Sequence, residues 1–241
     1  LGTLDKEVPI IKLDVQSNEF LIDKNATYHF VKVNKNNQDI KFIFKNNKSR
    51  LFIQGDFKNV NFDFKKEFNN NDIKYNEVRY DKNLLTGCVN FFDSNFKNVS
   101  IKSLDMTCED SVNIKNSQGD LENIEINNSQ YDGLDIDFSK LNIKNIIINN
   151  AKNDCLDVSF GDYNIKQASL NNCGDKGMSI GEKSKLNLSN GYISKSNIGI
   201  ASKDDARTNV QKIKIENVNT CLAAYNKKKE IVKVPLENLP I

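Results

Sequence analysis

The chain has 241 residues, enough for one large domain or two small ones with a sizeable core. Lys and Arg number 34 against 32 Asp and Glu, a formal charge of +2, and this near balance gives no reason to expect a nucleic-acid partner. Three prolines, eleven glycines and no apolar run near the roughly 18 residues of a spanning helix argue against collagen-like, Pro-rich and membrane-spanning chains.

The first residues, Leu1-Gly2-Thr3, are neither an initiator Met nor a signal peptide, so the sequence reads as part of a longer chain. Residues 1–39 are expected to form an N-terminal cap or linker. The single histidine, His29, stands there in a strand-like alternation and reads as structural rather than catalytic. From Ile40 to Phe64 three short apolar pairs follow one another, and the polar stretch 65–86 reads as an inserted loop or irregular coil.

From Gly87 a period takes over. The segments GCVNFF, SVNIK, GLDID, CLDVS, GMSIG, GIASK and CLAAY place an apolar residue at Val89, Val112, Leu134, Leu156, Met178, Ile200 and Leu222, one step of 23 followed by steps of 22. A second apolar column, Phe91, Ile114, Ile136, Val158 and Ile180, lies two residues on, as a strand with one buried face requires. Each repeat holds two further apolar pairs, such as Leu141 with Ile143 and Ile146 with Ile148. Three short strands per repeat describe one coil of an all-β parallel β-helix, in which coils stack about 4.8 Å apart. A leucine-rich repeat would show more Leu and a helical segment. Asn128, Asn150 and Asn172 recur after the third strand, as an internal asparagine ladder at a tight turn would. The β-helix is expected over 40–224, with 225–241 as its C-terminal end and Lys227 to Lys229 solvated there.

The five cysteines are odd in number and lack zinc-finger spacing, which argues against a disulfide framework and leaves room for one pair. Cys155 and Cys221 share a column with Gly133, Gly177 and Gly199 and read as packed small residues, not nucleophiles. NNS and NVS match glycosylation acceptors.

The first strand carries the chemistry. One column, taken as exposed, runs Asn90, Asn113, Asp135, Asp157, Ser179 and Ala201; a second runs Asp110, Asp132, Asp154 and Lys176; a third includes Asp137 and Lys203. Carboxylates in register on adjacent coils repel by about 1 kcal/mol in water and by more where solvent is restricted. A cation, a shared proton or a nearby lysine would relieve that repulsion, and all three are features of sites.

The series YDGLDI, NDCLDV, GDKGMSIG and NIGIASK, one per coil over about residues 131–203, resembles the four signature segments of polygalacturonase-type glycoside hydrolases, which contain N-T-D, D-D, G-H-G and R-I-K. The resemblance implies a right-handed helix of the pectate-lyase-like group directed at polysaccharide. Asp132 and Asp154 match the two water-activating aspartates, and Lys203 matches the substrate-binding lysine. Asn153 stands where the family has its general acid, Lys176 where it has histidine and Ala201 where it has arginine. Without the acid, inverting hydrolysis lacks its proton donor. Elimination or epimerisation on a uronic-acid glycan is the alternative chemistry of the group: Asp132, Asp135, Asp154 and Asp157 would hold Ca²⁺, Lys176 with a depressed pKa would act as base, and Lys203, Asn153 and Asp175 would bind substrate. A non-catalytic carbohydrate-binding module, or an adhesive or structural coil of a larger surface protein, is the competing expectation. Either reading implies an extracytoplasmic or secreted setting and a glycan partner.

Overall fold

The structure, a computed structural model, describes residues 10–12, 17–31, 38–67 and 79–227. Every element in them is a strand, and every strand pairing is parallel. No helix among the described residues is long and apolar enough to cross a membrane. The 22-residue period is the coil of a parallel β-helix: Val112 pairs with Leu134, Leu134 with Leu156, Leu156 with Met178, Met178 with Ile200 and Ile200 with Leu222. The two further apolar pairs of each repeat stack in the same way, Ile143 on Ile165 and Ile148 on Leu170.

Inward side chains of successive coils form one continuous core. Val112, Leu134, Leu156 and Met178 are fully buried, as are Ile126, Ile148 and Leu170 from the third strand. Each such side chain contributes about 1.5–3 kcal/mol of burial energy. The N-terminal coils fill the same space with rings: Phe20 stacks on Phe42 at 5.1 Å and Phe42 on Phe64 at 5.3 Å. The column Gly133, Gly177 and Gly199 is small because a Cβ there would meet Ile148, Ile193 or Ile215 of the core.

Two expectations change and one falls partly outside the described residues. The ladder starts earlier than Ile40, since strands Glu19–Ile22 and Thr27–Val31 pair in parallel with Gln38–Phe44 and Arg50–Gln54. Part of the expected insertion, 68–78, lies outside the described residues, as do Lys228 and Lys229. The asparagine ladder exists but faces outward. Asn128, Asn150 and Asn172 are exposed, each has left-handed backbone (φ 62°, 63° and 60°), and each donates its amide to the residue one coil back, at 2.8, 2.9 and 2.9 Å, beginning at Asp105. Asn suits such a turn because it tolerates positive φ and its amide can bond in both directions along the stack.

The cysteines also differ from expectation. Cys88 pairs with Cys108 and Cys155 with Cys173, all four buried, while Cys221 is free and exposed. Cys155 is packed in the small column as expected, and the pairing follows because Cys173 ends the third strand at the same corner of the coil. Loops of 20 and 18 residues closed in this way stabilise by about 3 kcal/mol each. Disulfides in general form and persist in oxidising environments.

Candidate functional site

The corner that leads into the first strand gathers one part of the expected site. Asp110, Asp132, Asp154 and Lys176 follow one another in register. They are not on the solvent face. All four are buried, and two of the carboxylates lie along the coil axis against the next coil: Asp132 Oδ1 accepts the Asp154 N–H at 2.8 Å and the Asn153 amide at 2.6 Å, and Asp154 Oδ1 accepts the Lys176 N–H at 3.0 Å. The Lys176 ammonium closes the row on Asp154 at 3.3 Å and on Asp175. At the other end stands Arg50, 1% exposed, whose guanidinium feels the charges of Asp81 and Asp110 and donates to Cys108 Sγ at 2.6 Å. Three carboxyl groups between two buried cations cannot all ionise cheaply. Burial, with the neighbouring carboxylates, lifts Asp110 to about 7 and Asp132 to about 8, so the row holds protons near neutrality.

This geometry removes the expected base. Burial works to lower the Lys176 amine, but the Asp175 hydrogen bond and the Asp154 charge outweigh it and hold the group up at about 12. The ammonium is thus held protonated between Asp154 and Asp175. Of the four aspartates expected to hold Ca²⁺, Asp132 and Asp154 accept from backbone N–H groups and Asp135 accepts from Asn113, and a group of three or more His, Cys, Asp or Glu arranged around one point is absent among the described residues.

The other part of the expected site lies in a cleft of about 680 Å³ beside the first-strand face. Asp135 and Asp157, half-buried and in register on adjacent coils, make its floor together with Lys203. Asp135 accepts from Asn113 at 3.0 Å, and Lys203 Nζ donates to Ser179 Oγ at 2.6 Å. Burial, reinforced by the surrounding aspartates, raises Asp135 well above the usual carboxylate range; burial lifts Asp157 to about 6 against the opposing charge of Lys203. One wall is the segment 79–86, locked by Asp81, whose Oδ1 accepts the Asn83 and Leu85 N–H groups at 2.8 and 3.0 Å, and by Arg79 on Glu109 at 3.0 Å.

The rim was not read from the sequence. Phe138 and Phe160, on adjacent coils, stack at 4.7 Å with 3° between ring planes, and both line the cleft with Tyr80 and Leu84. Their backbone is left-handed, φ 49° and 48°, and so is that of Leu84 at 60°. Bulky residues there cost about 1–3 kcal/mol each, while a stacked ring pair returns about 0.5–1.5 kcal/mol. Packing alone does not account for them. The signal was present as a column, Asp93, Asn116, Phe138, Phe160, Glu182 and Asp204, in which two rings interrupt polar residues.

No protein-family model, curated protein or solved structure matches this chain.

Proposed function

We propose that the chain is a glycan-directed β-helix protein of an extracytoplasmic setting, and that the sugar is received in the cleft floored by Asp135, Asp157 and Lys203. One observation carries this reading: partly buried carboxyl groups and a lysine converge on a concave surface with an apolar rim, the mixture of a few placed polar groups and apolar walls that a small-ligand site requires. The segment resemblance to polygalacturonase-type hydrolases of the pectate-lyase-like group supports it, with Lys203 as the shared substrate-binding residue, and the two disulfides support the setting.

If the site is catalytic, its acid and base are Asp135 and Asp157. A carboxyl that keeps its proton beside one that loses it is what protonation of a glycosidic oxygen needs, and elimination or epimerisation would also have to draw its base from this pair rather than from Lys176. The test is incubation with a panel of neutral glycans and polyuronides, following binding, new reducing ends and new unsaturated ends, beside Asp135→Asn and Asp157→Asn. Products lost in both variants establish an enzyme. Binding without product, weakened in both, establishes a carbohydrate-binding module. Absence of binding and product with every glycan refutes the reading.

A further inference from the structure

We infer that Leu84, Phe138 and Phe160 form a platform on which the cleft receives the apolar face of a saccharide ring; the inference deepens the glycan reading and rests on it. Seventeen described non-glycine residues have positive φ, and fourteen of them are Asn, Asp, Glu or Lys. The three apolar ones all border one cleft. They are also among the most exposed large apolar side chains of the described residues, at 69%, 51% and 40%. A residue placed against its backbone preference and outside the core is not there for the fold, and strained positions of this kind gather at ligand contacts.

The repeat supplies its own control. In the column that holds Phe138 and Phe160 the coil before uses Asn116 and the two coils beyond use Glu182 and Asp204, at φ 48°, 39° and 51°, so a polar residue that tolerates the turn was available to this backbone. The rings continue the coil spacing as a stack parallel to the solenoid axis. Lys115 Nζ stands over the Phe138 ring at 5.8 Å. At the other end the stack stops, because the next member of the column, Glu182, turns its carboxylate to Ser159 Oγ at 2.5 Å. A sugar ring has apolar C–H faces and a polar edge. Laid against Phe160 it turns its hydroxyls to Asp157 and Lys203 on the floor, whereas a wholly polar ligand would have no use for the rim.

The experiment replaces Leu84, Phe138 and Phe160 singly by Asn and measures two quantities: affinity for short oligosaccharides of neutral hexoses and of galacturonate by calorimetry, and the thermal midpoint. The expected result is an affinity lower by on the order of tenfold, a change of about 1.4 kcal/mol, together with a midpoint that rises, because Asn relieves the turn. A lower midpoint would make the side chains structural and overturn the inference. Unchanged affinity with a higher midpoint would overturn it as well, while leaving the carboxylate floor as the glycan site. A wild-type protein that binds none of the oligosaccharides, yet whose Asn variants are more stable, would refute the glycan reading itself and the platform with it.

Discussion

Two corners of the coil share one backbone conformation and use it differently. At the corner after the third strand, Asn128, Asn150 and Asn172 sit at φ near 60° and bond to one another coil after coil. At the corner after the first strand, Phe138 and Phe160 hold φ near 48° with rings in solvent. The first corner is what a repeat does when only folding acts on it; the second departs from that rule next to buried carboxyl groups. The contrast separates residues that build the solenoid from residues that use it.

The largest expected effect separates the uncharged turn ladder from the buried carboxyl groups of the first strand. The amide ladder binds no proton, whereas Asp110, Asp132 and Asp157 have folded-state values of about 7, 8 and 6, above the unfolded value near 4. The folded state therefore holds extra protons. The stability these three groups contribute is fully present below about pH 4 and declines as pH rises through 6 to 8. Thermal melts from pH 4 to 9 should show a falling midpoint, flattened by Asp132→Asn, which keeps the oxygen that accepts the Asp154 N–H. A midpoint that climbs from pH 5 to 8 would contradict this account.

Next in size is the bond that braces the corner after the third strand, since Cys155 stands just before the strand Leu156–Ser159 and Cys173 follows Asn172. Replacing both cysteines by Ala should cost about 3 kcal/mol by denaturant titration. Asn150→Phe, which imposes the ring of one corner on the other, interrupts two amide bonds and forces a bulky residue into the left-handed region. The expected loss is about 2 kcal/mol. The reverse exchange, Phe160→Asn, should gain about 1 kcal/mol in the same titration. If both exchanges destabilise equally, the corners do not differ in the way described.

The coil was legible because 22 is kept without error from Val112 to Leu222, and a strand with one buried face writes its alternation plainly. The N-terminal coils were harder to read for a physical reason. Gln38 pairs with Val60 at the usual step, but Leu51 pairs with Val89, so sequence spacing there no longer marks one coil. Part of that chain, 79–86, walls the cleft, so the face that alternation marked as solvent is covered by residues distant in sequence. The expected site set divided for a related reason: periodicity fixes which residues share a column, not which way a carboxylate bends at a corner. Asp132, Asp154 and Lys176 turned along the axis and became structure, while Asp135, Asp157 and Lys203 stayed with the cleft. The disulfides depended on the same corner geometry, which cysteine spacing does not encode.

The register of the coils also constrains how such a molecule can change its length. A deletion or duplication within the regular stretch keeps every column aligned only if it spans a whole coil. Shorter insertions suit stretches outside the strands, such as 79–86. A duplicated coil bearing Asp157 and Phe160 would lengthen the cleft by one carboxyl group and one ring together, which gives descendants a stepwise route to longer ligands without remaking the core.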